Sequence, residues 1–292
     1  MNRPTLILLV GIPGSGKTTY AEKYLEVCYN MIHLSSDKIR AELWGNEATQ
    51  GDNNEVFSLM QSRAIEALNN GQNVLYDATN ITRKDRSYII SLCPKFVKIE
   101  CHIVWAPIET CIERDAARER TVGKAVIDKM LKRFQAPYYD EGIDEIKIFW
   151  NTPEDFNQNT YVKNIMQATD IDHDNPHHTL NIKEHCEETY RYAMNHKCST
   201  NLCFAAKHHD IGKPYVKAFV DSKGNPCDVA HYYQHNCVGA WMAYGFSLYS
   251  IDFAWLISVH MDPFLNTKYY NKLPKYLKEQ VNLLHEADLN AH

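Results

Sequence analysis

Apolar residues follow two different rhythms along this chain. Up to about residue 150, short continuous apolar runs alternate with longer segments of helical period. "TLILLV" (5–10), "NMIHLSS" (30–36), "QNVLYDAT" (72–79), "IECHIVWA" (99–106) and "IDEIKIFW" (143–150) read as strands. Between them, "KTTYAEKYLEV" (17–27), "EVFSLMQSRAIEAL" (55–68), "ETCIERDAARER" (109–120) and "KAVIDKMLKRF" (124–134) read as helices. This alternation predicts an α/β domain with a parallel sheet, helices on both faces and ligand groups at the C-terminal ends of the strands. After the polar stretch "NTPEDFNQNTY" (151–161), strand patterns stop and helical ones dominate, predicting an all-α bundle. The expected organisation is a first domain over 1–152, a linker over 153–164 and a second domain over 165–292.

The first strand runs into "GIPGSGKTT" (11–19), which fits G-x-x-x-x-G-K-[ST] as Gly11 to Thr18. Strand, loop and helix in that order are the setting this motif requires. Glycines let backbone N–H groups point into the loop, Lys17 neutralises β- and γ-phosphate charge, and Thr18 is placed to ligate Mg²⁺. The expected cradle for ATP or another NTP comprises Gly11, Pro13, Gly14, Ser15, Gly16, Lys17, Thr18 and Thr19.

Polar residues follow the other strands. "SSDKIR" sets Asp37 and Arg40 three apart at the start of a helix. A carboxylate there can take a proton from an attacking hydroxyl while the arginine grips a phosphate. Taken alone, Asp37 reads first as an N-capping residue beside a solvated arginine. "YDATN" places Asp77 and Asn80 near metal or substrate. Arg114, Arg118 and Arg120 recur before the next helix; Arg114 and Arg118, as i and i+4, share a face. They form either an exposed basic stripe or an arginine-bearing lid over the triphosphate.

The ordered set "GIPGSGKTT", "DKIR", "DATN", "RDAAR" and "AVIDKMLKRFQAP" resembles the polynucleotide 5′-hydroxyl kinases of the phage end-healing type, over about residues 5 to 150. The resemblance implies that Lys17 binds phosphates, Thr18 the metal, and Asp37 acts as general base toward a 5′-OH. It makes Arg40 the clamp on the acceptor's 3′-phosphate and Arg114 and Arg118 the lid. Arg120 has no counterpart.

The second half carries a different chemistry. Of fourteen histidines, only His33 and His102 precede residue 152. His185, the pair His209–Asp210, His235, His260 and Asp288 follow at gaps of 24, 25, 25 and 28 residues, about one helix and a loop each. Helices of a bundle can each lower one such ligand into a shared interior. Imidazoles with carboxylates suit divalent Mn, Fe, Co, Ni or Zn, and an adjacent His–Asp pair lets the carboxylate bridge two ions. A lone helical histidine is usually a satisfied core residue; five dispersed positions beside apolar runs are a set.

This H…HD…H…H…D pattern, with "HHDIGK" at 208–213, resembles the HD superfamily of metal-dependent phosphohydrolases over about residues 165 to 292. The resemblance implies a principal site of His185, His209, Asp210 and Asp288, with His235 and His260 completing a second metal. It offers Lys213 as a phosphate contact, and His231 as either a leaving-group contact or a loop residue without a role. His208 reads as a supporting neighbour of the ligands, and His177, His178 and His285 as structural. Phage-type healing enzymes pair their kinase with a phosphatase marked D-x-D-G-T. "DIDHDN" (170–175) keeps only the first and third letters and reads as connecting chain.

Composition narrows the partners. A net charge of −5 excludes a broad polyanion-binding surface, so any nucleic-acid contact is a local groove or a strand end. Nine cysteines without a C-x-x-C pair argue against a disulfide framework and suit a cytoplasmic protein. The apolar run over 6–10 is too short for a membrane span. Together the two resemblances imply a bifunctional enzyme for RNA or DNA strand ends. It would phosphorylate 5′-OH ends and remove 2′,3′-cyclic or linear phosphates, working beside a separate RNA ligase. The alternatives are a small-metabolite or nucleoside kinase fused to a nucleotide phosphohydrolase, and a nucleotide-gated regulator whose bundle only binds ligand.

Overall fold

The computed structural model describes residues 3–28, 30–46, 51–176, 179–247 and 250–291. His177 and His178 lie outside them. Five strands, β1 (Thr5–Val10), β2 (Met31–Ser35), β3 (Asn73–Asp77), β4 (Lys98–Trp105) and β5 (Glu145–Trp150), form a parallel sheet in the order β2-β3-β1-β4-β5. Each lies within two residues of its expected bounds. Around them run α1 (Lys17–Val27), α2 (Ser36–Trp44), α3 (Asn53–Asn69), α4 (Arg83–Leu92), α5 (Ile108–Ala116) and α6 (Lys124–Leu131). The central strand β1 is buried from Leu6 to Val10, as its unbroken apolar run demands.

The second half contains α7 (Gln158–Ala168), α8 (Ile182–Asn195), α9 (Thr200–His208) and α10 (Lys213–Val216), then the strands β6 (Ala218–Val220) and β7 (Pro226–His231). It ends with α11 (His235–Ala243), α12 (Ile251–Val259), α13 (Asp262–Leu265), α14 (Thr267–Tyr270) and α15 (Lys275–Leu289). It is therefore mainly helical rather than all-α. The antiparallel pair β6–β7 was not anticipated, because three and six residues with few branched side chains give almost no period-two pattern.

The chain divides into two compact units, one of residues 1–128 and 137–153, the other of 129–136 and 154–292. Two expectations change. Residues 129–136 belong to the second unit, where the Phe134 ring meets Trp241 edge-on at 5.2 Å and Ala136 N donates to Ser258 Oγ at 3.1 Å. The expected linker also contains most of the first turns of α7, and Tyr161 Oη donates to Met242 O at 3.2 Å. Its polar sequence covers a helix that leans on the second unit with one face.

A buried ion pair holds the end of the central strand. Arg86 donates to Glu141 at 2.8 and 2.7 Å, both side chains at most 1% exposed, and to Asn80 O at 2.9 Å. Asn80, at φ 45°, donates through Nδ2 to Leu9 O at 2.7 Å, and Gly11 N donates to Thr79 O at 3.1 Å. Asn80 thus braces the strand that feeds the glycine loop instead of facing a substrate. Replacing Arg86 by Ala leaves Glu141 buried with the Tyr138 amide at 3.2 Å and Arg83 at 3.9 Å. The expected loss is about 3–5 kcal/mol from the N-terminal unit, measured as a lower midpoint of its chemical denaturation.

On the other flank, burial disfavours the Glu100 carboxylate, but Lys147 (2.8 Å), Lys98 (2.7 Å) and His102 (3.0 Å) outweigh it and bring its pKa from 4.5 to about 2. With the folded value below the unfolded one, this contribution is complete above about pH 4.5 and is lost as pH falls toward 2. Glu100→Gln should lower stability at neutral pH and flatten the further loss over that acid range, as followed by thermal melts at stepped pH.

Candidate functional site

Both candidate sites are assembled at element ends. In the N-terminal unit, the chain leaves β1 at Val10 and enters α1 at Lys17 through the glycine loop. Gly16 sits at φ 93°, and a Cβ there would lie 1.6 Å from Asn151 Nδ2, so both conformation and space require glycine. No side chain caps α1, which leaves its first N–H groups for an anion. Ser15 Oγ is buried without a hydrogen bond. Lys17 Nζ donates to Gly11 O at 2.8 Å and Ile12 O at 3.1 Å, so its ammonium crosses the mouth of the loop. Thr18 and Thr19 are exposed on the first turn of α1, while Pro13 is partly buried within the loop. Free amides, an orphaned hydroxyl and a cation fit the phosphates of a nucleotide.

Burial pulls the Lys17 ammonium below its ordinary pKa; the carboxylates of Asp77 and Asp37 oppose this and Arg118 adds to it. Each of these three groups lies close enough to act on the Lys17 charge. Asp37 is not the cap of α2, because Ser35 occupies that position. Its carboxylate instead receives Arg40 Nη1 at 2.9 Å and lies 3.9 Å from Arg120 Nη1. Arg40 also donates to Asn53 Oδ1 at 2.9 Å. Asp77, at the end of β3, meets His33 Nε2 at 3.2 Å.

The arginine spacing is not helical. α5 ends at Ala116, so Arg118 is beyond it and shares no helix face with Arg114. The cause is Asp115, only 2% exposed, whose carboxylate accepts from Val122 N at 3.1 Å and Gly123 N at 2.8 Å. This clasp turns residues 117–121 into a loop. Arg114 donates to Asn151 O at 2.8 Å, and Asn151 Nδ2 donates to Ser15 O at 3.0 Å, which ties Arg114 to the glycine loop. Asn151, Asp115 and His33 escaped the sequence reading. An amide after an apolar run looks like linker, and an aspartate among arginines looks like charge balance.

In the C-terminal unit, all five expected helical positions converge. His185 from α8 lies 2.8 Å through Nε2 from Asp288 Oδ1 of α15 and 3.3 Å from His209 Nε2. His209 follows α9 and stands 3.3 Å from both Asp210 Oδ2 and Asp288 Oδ1. His235 opens α11, 3.2 Å from Asp210 Oδ1 and 3.0 Å from His260 Nε2 at the end of α12. Asp210 is thus shared by two imidazole pairs. Lys213 Nζ reaches Asp210 Oδ2 at 2.7 Å and lies 5.4 Å over the Tyr232 ring. Gly212 permits the approach of this segment to α11: a Cβ there would sit 2.1 Å from His235 O.

All four imidazoles are aimed alike. Their Nδ1 atoms face the carbonyls of Ala291 (3.1 Å), Ala206 (2.9 Å), Tyr232 (2.8 Å) and Ile257 (2.7 Å). Protons on Nδ1 satisfy those carbonyls and leave Nε2 as acceptor, the arrangement that metal-ligating histidines use. Acceptor facing acceptor at 3.0–3.3 Å needs positive charge between. Burial disfavours every charge here. Even so, Asp210 and Asp288 hold His209 well above its ordinary pKa, and His209 holds both carboxylates well below theirs. Burial, then the neighbouring His235 and His209, takes His260 down to about 3. Two overlapping triads, His185–His209–Asp210 and Asp210–His235–His260, keep their donor atoms within 4.8 Å of one another, which fits a pair of divalent cations bridged by one carboxylate.

The remaining histidines separate clearly. His208 donates through Nδ1 to Phe204 O and packs on Phe204, Phe246 and Phe253, not on the imidazole cluster; burial takes it to about 4. His285 packs on Phe264, and His231 stacks on Tyr233. The expected connecting chain "DIDHDN" is packed structure: Lys217 pairs with Asp174 at 2.6 Å, and the buried His173 ring meets His185 edge-on at 5.8 Å.

A loop crossed by a lysine at the end of the central strand, in a parallel α/β sheet, defines the N-terminal unit as a P-loop domain of the kinase fold. Residues 6–137 match the family model for an AAA domain. Among curated proteins the chain is 26% identical over 148 residues to the transcription factor bHLH140 of Arabidopsis thaliana, covering 48% of this chain and 15% of that protein. It is 32% identical over 107 residues to 6-phosphofructo-2-kinase/fructose-2,6-bisphosphatase of Aquarana catesbeiana, covering 30% and 23%. It therefore spans under a quarter of either relative. A chain of the Pnkp1/Rnl/Hen1 RNA repair complex superposes with a TM-score of 0.42 at 22% identity, over 46% of this chain and 44% of that one. Among the described residues no helix is long and apolar enough to cross a membrane.

If the imidazole cluster takes divalent cations, chelator-treated protein should bind about two Mn²⁺ on titration, measured by metal content after desalting. Asp210→Ala, which removes the shared carboxylate, should retain less than half of that load.

Proposed function

We propose that this chain heals nucleic-acid strand ends with two sites, phosphorylating 5′-OH termini in the N-terminal unit and hydrolysing terminal phosphoesters in the C-terminal one. The observation that carries the reading is the Asp210-centred imidazole cluster on the same polypeptide as a P-loop with a carboxylate beside it. Strand cleavage through a 2′-OH leaves a 5′-OH and a 2′,3′-cyclic or linear phosphate, whereas joining needs a 5′-phosphate and free 3′ hydroxyls. One enzyme with both sites would prepare ends for a separate RNA ligase.

In the kinase step the 5′-OH oxygen attacks the γ-phosphorus as the bond to the β–γ bridging oxygen breaks and the nucleoside diphosphate leaves. Asp37 takes the hydroxyl proton, Arg40 holds the acceptor's 3′-phosphate, and Lys17 and Arg118 balance charge growing on the transferred group. Arg114 keeps the loop fixed through Asn151. Thr18 would hold Mg²⁺, which would supply charge neutralisation at the phosphate oxygens. Divalent ions held by His185, His209, Asp210, His235, His260 and Asp288 would supply Lewis-acid polarisation of the phosphoester. Lys213, beside Asp210, is placed to contact the phosphate.

An oligonucleotide bearing 5′-OH and 2′,3′-cyclic phosphate ends, incubated with ATP, Mg²⁺ and each of Mn²⁺, Co²⁺, Ni²⁺ and Zn²⁺, should change at both ends. Lys17→Ala or Asp37→Ala should cut 5′ phosphorylation by about 10²–10⁴-fold while sparing 3′-end hydrolysis, and Asp210→Ala should do the reverse. Both activities lost in every variant, or a mononucleoside outcompeting the oligonucleotide as acceptor, would defeat the proposal.

A further inference from the structure

Between Asp262 and Glu279 the chain carries four lysines, Lys268, Lys272, Lys275 and Lys278, and no acidic residue, in a protein whose net charge is −5. The fold lays this segment along α15. Phe264 meets His285 edge-on at 4.8 Å, Tyr270 Oη donates to Asn282 Oδ1, and Lys278 Nζ donates to Asn271 O at 2.8 Å. These contacts fall in antiparallel order, so α13 and α14 run back beside α15 toward its start. Asp288 follows His285 by one turn, and α13 begins two residues after His260. One end of this ridge therefore lies at the imidazole cluster. Lys275 marks the other end, about 20 Å from Asp288 along the helix axis.

Lys268, Lys272 and Lys275 are exposed on the ridge. Among the described residues no carboxylate pairs with Lys268 or Lys272, and Lys275 has only the exposed Glu279 at 3.8 Å. Such a pair contributes little to stability and leaves the ammonium free to meet another anion. Phe264, at the cluster end, is 58% exposed. Spaced cations with an open aromatic face suit a single strand of nucleic acid, which offers phosphates in a row and bases that stack. A lipid surface would call for a broad basic face, and here the charges form a line that ends at the cluster.

We propose that Lys268, Lys272 and Lys275 form a track for the phosphodiester backbone of a single strand whose terminal phosphoester lies at the Asp210 cluster, with Phe264 stacking on the base nearest that end. This rests on the phosphoester hydrolysis proposed above, and adds the residues that hold the body of the strand. Lys278, already donating to Asn271 O, fixes the segment instead. A mononucleotide reaches only the cluster end, whereas a longer strand also meets the lysines. The track therefore acts on KM and not on kcat.

The test compares KM for opening the 2′,3′-cyclic phosphate of a short single-stranded RNA with KM for a nucleoside 2′,3′-cyclic monophosphate, using the full chain with Mn²⁺ at low salt. The wild type should favour the strand at least about tenfold. Replacing Lys268, Lys272 and Lys275 together by Ala should raise the strand KM about tenfold, roughly twofold to threefold for each exposed charge pair. The kcat, the mononucleotide KM and 5′ phosphorylation should stay within about twofold of wild type, and the triple Lys→Arg variant should keep the strand KM. The slope of log KM on log salt should fall by about 2, at roughly 0.7 per phosphate contact. Metal-free wild type should also hold a fluorescent strand more tightly than the Ala variant does, read by anisotropy. Equal KM values for the two substrates, or an Ala variant that keeps the strand KM, would overturn the track while the hydrolysis reading stands. So would lysine-dependent binding to phosphatidylserine vesicles with no change in the strand KM. If the wild type hydrolyses neither substrate, the hydrolysis reading fails and the track falls with it.

Discussion

The Asp210 carboxylate, 1% exposed, stands between two pairs of imidazoles whose Nε2 atoms face each other, and the C-terminal unit is arranged around that placement. A buried carboxylate must be paired, and so must nitrogen lone pairs that meet at 3 Å. Lys213, on the same short segment, meets the first need, and a divalent cation between the imidazoles would meet the second. The aim of the rings is set locally: His209, His235 and His260 each bond through Nδ1 to the carbonyl three residues earlier, at a helix end. For His209 and His260 these are carbonyls of a helix's last turn, which lack helical partners, and for His235 a carbonyl of the turn that enters α11.

The N-terminal site solves a comparable charge problem by other means. Its anion receptor is mostly backbone: an uncapped helix start, glycine at positive φ and a lysine laid across the loop. Side chains enter from the surrounding strand ends, Asp77 with His33 from β3 and β2, and Asp37 with Arg40 from the start of α2. Asn151 ties Arg114 of α5 to the glycine loop, and Asp115 fixes the loop that carries Arg118 and Arg120. Backbone receptors suit a group common to every nucleotide.

The strands and α1 were readable because their residues are buried on both faces or follow a motif with one structural solution. The cluster of imidazoles and carboxylates was readable because its members are spaced by whole helices, so each recurs at the same level of a bundle. Reading failed where a long-range contact overrode a local pattern. α5 stops at Ala116 because Asp115 captures amides seven and eight residues ahead, and Phe134 packs in the second unit although its segment continues a helix of the first.

The sequence by itself determined the candidate residues: a glycine-rich loop with Lys17, an early Asp37, and histidines concentrated after residue 152. Those follow from residue type and spacing, which are local properties. Only the tertiary structure decided which carboxylate is shared, which arginine stands over Asp37, and that His173 and Asn151 lie beside the sites rather than in connecting chain. Such pairings join residues up to 136 positions apart, and no local pattern encodes a contact whose partner is fixed by how whole elements pack.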